Sequence, residues 1–165
     1  MSEPRSDRPE MPPGYGADAA TRYLTWEEVV AKLVASKHYW LATTRGDGRP
    51  HVVPRWGVWL DDRFWYDGSP ETLHVRNLER DPACVLHLES GSDVTVVEGK
   101  SLRSDRITGE LGERLAKEYA LKYGPEYTPA PDSWSDEIAG GMRHLRPEKV
   151  LAWTDFPNDL TRFNF

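Results

Sequence analysis

The amino-acid sequence predicts an α+β domain built on an antiparallel sheet, closed or nearly closed, with about six strands and two to three helices. Short apolar runs follow one another at hairpin spacing, and strand–helix–strand alternation is missing. A length of 165 residues fits one domain with a core of its own.

Residues 1–20 carry Pro4, Pro9, Pro12 and Pro13 among charged and small residues without a hydrophobic period. They are expected to form a flexible N-terminal tail ahead of a single domain over 21–165. The first helix signal is a Thr-x-x-Glu capping box at Thr25 and Glu28, with Trp26, Val29, Val30, Leu33 and Val34 on one face as far as about Lys37. The period then becomes strand-like. Tyr39 to Thr43 reads as a buried strand, Gly46-Asp47-Gly48 as a hairpin turn, and His51 to Leu60 as a long second strand. After a turn at Asp61-Asp62, Arg63 to Asp67 is a third. Ser69-Pro70 resembles an N-cap followed by proline at the first helical position, opening a short helix that Asp81-Pro82 ends. Cys84 to Glu89 and Val94 to Ser101 are the next strands. Ile107, Leu111, Leu115, Tyr119 and Tyr123 recur at four-residue spacing and predict a helix over 105–123. Strand character returns at Val150 to Trp153.

Lys plus Arg total 21 and Asp plus Glu 27, a net charge of −6. That balance argues against a general nucleic-acid or anionic-membrane binder, because either needs a basic surface. No apolar run approaches the roughly 20 residues that span a bilayer, and no apolar segment of the signal-peptide kind opens the chain, so a cytoplasmic protein is expected. The single cysteine, Cys84, excludes an internal disulfide and reads as a buried, inert thiol. Histidines 38, 51, 74, 87 and 144 lack metal-ligand spacing, so no metal site is expected, and His87, between Leu86 and Leu88, reads as structural. Gly46-x-Gly48 lacks the third glycine and the helix of a dinucleotide loop.

The second strand is apolar on both faces, with Val52, Trp56, Val58 and Leu60 on one side and Val53, Gly57 and Trp59 on the other. One face fills the barrel. The other must meet a partner subunit, a flat ligand or a helix of the same chain. Trp40, Trp56, Trp59 and Trp65 supply aromatic surface for a subunit interface or for the core. Arg55 sits inside this apolar strand and needs an anion, either a carboxylate of the protein or a ligand phosphate or carboxylate. Thr72, His74 and Arg76, near the free backbone N–H groups of the short helix, make a generic anion site; alternatively Arg76 and Asn77 tie that helix to the sheet.

Gly48-Arg49-Pro50-His51-Val52-Val53-Pro54, then Phe64-Trp65-Tyr66, then Val75-Arg76-Asn77-Leu78-Glu79-Arg80-Asp81-Pro82 and Val97-Glu98-Gly99 occur in an order that resembles the pyridoxamine 5′-phosphate oxidase-like split β-barrel superfamily. The likeness covers about residues 25–155 and is strongest to the flavin- and deazaflavin-dependent oxidoreductase branch. It implies a homodimer with FMN or coenzyme F420 at the subunit interface, and hydride transfer between that ring and a small organic substrate. It also implies Val53, Pro54, Arg55, Trp56, Tyr66, Thr72, His74 and Arg76 as cofactor-binding residues. No catalytic acid or base is assigned, because the ring carries the hydride. Thr72, Leu73 and His74 fall where pyridoxamine-phosphate oxidases carry a Ser-Arg-Lys clamp, and Val53 and Val58 fall on that enzyme's strand Arg and Lys, so vitamin B6 chemistry is not expected. Substrate would enter beside Trp56, Trp59, the second long helix or Phe163 and Phe165. The alternative is a non-catalytic protein on the same barrel that holds haem, a tetrapyrrole or another flat ligand.

Overall fold

The structure, a computed structural model, describes residues 3–14 and 22–165. Among them the chain forms β1 (Arg5–Asp7), α1 (Trp26–Ala35), β2 (Tyr39–Thr44), β3 (Pro50–Arg55), β4 (Val58–Leu60), β5 (Arg63–Tyr66), α2 (Leu73–Arg80), β6 (Ala83–His87), β7 (Val94–Arg103), α3 (Glu110–Tyr123), β8 (Arg143–Trp153) and β9 (Thr161–Asn164). A 3-10 turn at Ala139–Gly141 precedes β8. The strands pair antiparallel in the order β1-β9-β8-β7-β6-β2-β3, and β5 joins β8 and carries β4 on its other side. β8 serves two neighbours along one edge, β5 through residues 143–145 and β9 through 149–152. β3 and β4 follow each other in the chain yet do not pair, so the barrel is split rather than closed.

Three strands exceed the expected six. Two are short strands at one end of the sheet, β9 and the edge strand β1 beyond it; the third arises because the expected strand from His51 to Leu60 breaks at Trp56-Gly57. A Cβ on Gly57 would lie 2.4 Å from the Phe64 ring and 2.5 Å from the Trp65 carbonyl oxygen, so only a bare backbone can turn the corner there. The tail expectation also needs correction at Arg5–Asp7. Arg162 of β9 grips the Asp7 carboxylate with Nε at 2.7 Å and Nη2 at 2.9 Å, and the β9 edge supplies backbone partners. Residues 1, 2 and 15–20 of that expected tail lie outside the described residues.

The helices start later or end sooner than their apolar patterns suggest. α1 carries the expected capping box, Thr25 Oγ1 accepting from Glu28 N at 3.3 Å and Glu28 Oε2 from Thr25 N at 2.8 Å. α2 begins at Leu73 rather than after Ser69, because Ser69-Pro70 is spent in a turn closed by Thr72 N to Ser69 O at 3.1 Å. α3 begins after Gly109, whose φ of 65° few side chains would tolerate. No helix among the described residues is long and apolar enough to cross a membrane.

Two apolar clusters hold the fold. α1 covers one, with Tyr39, Leu41, Trp59, Phe64, Leu86, Val97, Leu145 and Phe163; α3 covers the other, with Val58, Trp65, Leu115, Tyr119, Trp134 and Met142. β4 is therefore apolar on both faces because this chain's own elements cover both. β3 is different. Its outward row remains open, with Val52 47% and Trp56 39% exposed. Trp59 and Phe163 are core residues and cannot border a substrate, contrary to the expectation from sequence.

β3 is also an edge. Arg45 N donates to Arg49 O at 2.9 Å, which makes Thr43–His51, Leu41–Val53 and Tyr39–Arg55 the hydrogen-bonded pairs with β2. The nitrogens of Pro50, Val52 and Pro54 therefore face away from β2, and two of the three carry no hydrogen.

Candidate functional site

Alternation along β3 sends His51, Val53 and Arg55 inward, opposite Thr43, Leu41 and Tyr39. α2 lies against this face with His74, Val75, Asn77 and Leu78 buried. Asn77 Nδ2 donates to Thr43 Oγ1 at 3.0 Å and fixes the roll of the helix. His74, nearly one turn earlier on the same face, is thereby turned toward β3.

Three buried nitrogens here have no hydrogen-bond partner among the described residues: His51 Nδ1, Arg55 Nε and His74 Nε2. Native interiors rarely leave such atoms unpaired, because desolvating a polar group without compensation is costly. Arg55 forms no ion pair with a carboxylate among the described residues. Its Nη2 donates to the Asp67 carbonyl oxygen, and its guanidinium lies 5.7 Å from the Tyr66 ring centroid. The Asp67 carboxylate is instead occupied by Tyr127 Oη at 2.5 Å and Trp134 Nε1 at 3.3 Å. Gly68 leaves room for the arginine, since a Cβ there would sit 2.9 Å from Arg55 Nη2.

His74 is 4% exposed, and burial, with Arg55, His51 and Arg143 adding positive charge, pushes its pKa down to about 4. The ring is therefore neutral at pH 7 unless an anion joins it. Tyr66 is buried with its hydroxyl 2.6 Å from Ser101 Oγ, and burial pushes its pKa up to about 12. It remains a neutral phenol that supports Arg55 from below.

The structure thus brings together Arg55, Tyr66 and His74 from the sequence-derived set. Val53 packs half-buried against the first core, and Thr72 donates its hydroxyl to Ser69 O at 2.8 Å. Arg76 is exposed and lies off the buried face of α2. Pro54 belongs to the outward face of β3, and Trp56 extends that exposed row just past the strand's end. Trp56 is backed by α3, whose last residue, Tyr123, accepts from Gly57 N through Oη at 2.9 Å. Lys122 donates to Tyr39 Oη at 2.7 Å and Gly57 O at 3.3 Å, and burial lowers its pKa to about 8. Sequence reasoning missed His51, although its period-two relation to Arg55 was readable. Arg143 and Lys122 gave no local signal.

A cluster of buried donors with excess positive charge and no carboxylate suits a phosphate, which offers several acceptor oxygens at once. The open aromatic row of β3 beside it suits a flat ring. Solved structures share this architecture. A conserved hypothetical protein from Mycobacterium tuberculosis aligns with a TM-score of 0.61 at 21% identity, over 83% of this chain and 89% of its own. An F420 reductase aligns at 0.52 and 20% identity, over 85% and 98%. The heme storage protein HutZ from Vibrio cholerae aligns at 0.56 and 20%, over 76% and 90%. At these identities the likeness is one of fold. No curated protein gives a significant sequence match. Residues 25–153 match the family described as pyridoxamine 5′-phosphate oxidase, and the chain, a split barrel with that family's motifs in order, belongs to it.

Proposed function

We propose that the protein is an oxidoreductase that holds FMN or coenzyme F420 and acts on a small organic substrate as a homodimer. The trio of unpartnered nitrogens on His51, Arg55 and His74 carries this reading. In it, Arg55 and His74 hold the phosphate, and His74 takes up a proton as the anion arrives. The exposed row of Val52, Pro54 and Trp56 lies under the ring and a second copy of the chain. When bound, the ring supplies hydride transfer; the protein's share is to bind, orient and shield it from water. The F420 reductase of the same fold supports the choice of cofactor class.

Titrating the full-length protein with FMN and, separately, with coenzyme F420 tests the reading through ring absorbance and fluorescence. Saturable binding of one of them is expected, with His74→Ala weakening it about tenfold through loss of a charge-assisted hydrogen bond. A protein that takes up neither cofactor overturns the proposal.

One observation favours a second reading, a haem or tetrapyrrole carrier without turnover. His87 Nδ1 lies 2.8 Å from the Leu88 carbonyl oxygen, which can only accept, so Nδ1 holds the hydrogen and Nε2 keeps a lone pair. The ring stands on the outward sheet face beside Trp40 and Val96. Haemin titration of the wild type and His87→Ala separates the two readings, because only the haem reading loses its Soret shift in the variant.

A further inference from the structure

A cavity of about 240 Å³ lies between α2, the facing ends of β7 and β8 and the 3-10 turn, and was not anticipated from the sequence. Pro70, Val75 and Ile138 give it an apolar wall, and Gly68 and Gly141 bring two backbones together beside them. The approach is close: a Cβ on Gly141 would lie 2.2 Å from the Gly68 carbonyl oxygen. The space equals about eight water molecules at roughly 30 Å³ each, enough for one six-membered ring with a short substituent.

Its charged wall is unbalanced. Arg103 of β7 and Arg143 of β8 are directly opposed across the two strands, so their side chains share a face, a placement that like charges resist. Arg143 is 4% exposed and fully engaged, with Nη2 on Ser101 O at 2.9 Å, Nε 3.4 Å from Ser101 Oγ, and Nη1 on the Glu79 carboxylate. Among the described residues Arg103 has only the Glu137 carbonyl oxygen, 3.2 Å from Nη2. Glu79 is the one carboxylate among the residues that line the cavity, and its ion pair is with Arg143, which leaves Arg103 without a carboxylate among the described residues.

We propose that this cavity binds a small organic monocarboxylate, with its apolar body against Pro70, Val75 and Ile138 and its carboxylate on Arg103. The ligand supplies the second negative charge that the arginine pair lacks, and burying its body displaces water from apolar surface. This site is separate from the cofactor reading. Cofactor titration tests that one, and the measurement below needs no cofactor.

Benzoate and its uncharged counterpart benzyl alcohol are the probes, added to the full-length, ¹⁵N-labelled protein while the amide signals of Val75 and Gly141 are followed. Benzoate is expected to shift both saturably and to bind about tenfold more tightly than benzyl alcohol, the ratio of one charge-assisted hydrogen bond. Arg103→Gln, at an exposed position that leaves the core intact, is expected to remove that tenfold preference and leave benzyl alcohol unaffected. Ile138→Trp, which fills the mouth, is expected to abolish binding of both. The proposal is overturned if benzoate leaves these amides unmoved, if benzyl alcohol binds as well as benzoate, or if Arg103→Gln binds benzoate as the wild type does.

Discussion

Trp56 lies flat on Tyr123, with ring centroids 4.8 Å apart and planes inclined by 5°. The contact fixes an aromatic surface at the corner between β3 and β4, and α3 rather than the sheet holds it in place. Tyr123 does this through its hydroxyl, which accepts from Gly57 N at 2.9 Å and lies 2.7 Å from Lys37 O.

Tyr123→Phe keeps the stack and removes the hydroxyl, stranding the buried Gly57 N–H. A loss of about 1–2 kcal/mol is expected from urea unfolding, typical of an unsatisfied buried donor. An unchanged midpoint would show that the corner does not depend on this bond.

At Gly57 itself, alanine would drive a methyl group into Phe64 and the Trp65 carbonyl. Because one obstacle is backbone, relief requires β4 to move, and a cost of about 3 kcal/mol is expected, measured by thermal unfolding. Gly91→Ala is the control. Nothing lies within 4 Å of the added carbon there, and the melting temperature should hardly change.

His74 and His144 are both held down to about pH 4 from an ordinary 6.5, chiefly by burial. Between those values the unfolded chain binds protons that the folded chain refuses. Stability should therefore fall as pH drops from 6.5 toward 4 and be insensitive to these groups above 6.5. His74→Gln is expected to remove roughly half of that dependence, read from denaturant titrations at several pH values. Phosphate that binds beside His74 should raise the pH at which its ring proton signals shift.

Lys122 behaves in the opposite range. Its folded pKa of about 8 lies below the ordinary 10.5, so the folded chain gives up a proton first and stability should rise with pH across that interval. Lys122→Met removes a half-buried charge that forms no ion pair among the described residues, with only the Glu118 carboxylate acting on it through space. It should flatten the rise, and at pH 7 cost little or stabilise by about 1 kcal/mol. A variant that retains the alkaline rise would assign it to another group.

The elements whose residues carry their own punctuation could be read directly. Thr25 and Glu28 announced α1, and Asp81-Pro82 ended α2 at Arg80. Corners set by distant neighbours could not. Gly57 looks like any strand glycine until Phe64 and Trp65 are placed against it, and β1 exists because Arg162 lies more than a hundred residues further along the chain. The candidate site divides in the same way. Arg55 stood out as a charge in an apolar strand, whereas His51 emerged only once the register showed it facing the same helix. The carboxylate expected as one solution for Arg55 was a fair guess from composition, yet Asp67 turns its oxygens to Tyr127 and Trp134 instead.

The prolines of β3 restrict how this molecule can meet another. With Pro50 and Pro54 on the unpaired side, only Val52 retains a hydrogen there, so an incoming strand would find a ladder with most of its rungs removed. Lateral growth into a longer sheet, the route toward fibrous aggregates, is discouraged at this margin, and contact is left to the broad side where Val52 and Trp56 project. A rim that rejects strands beside a surface that remains open favours assemblies that stop after one step.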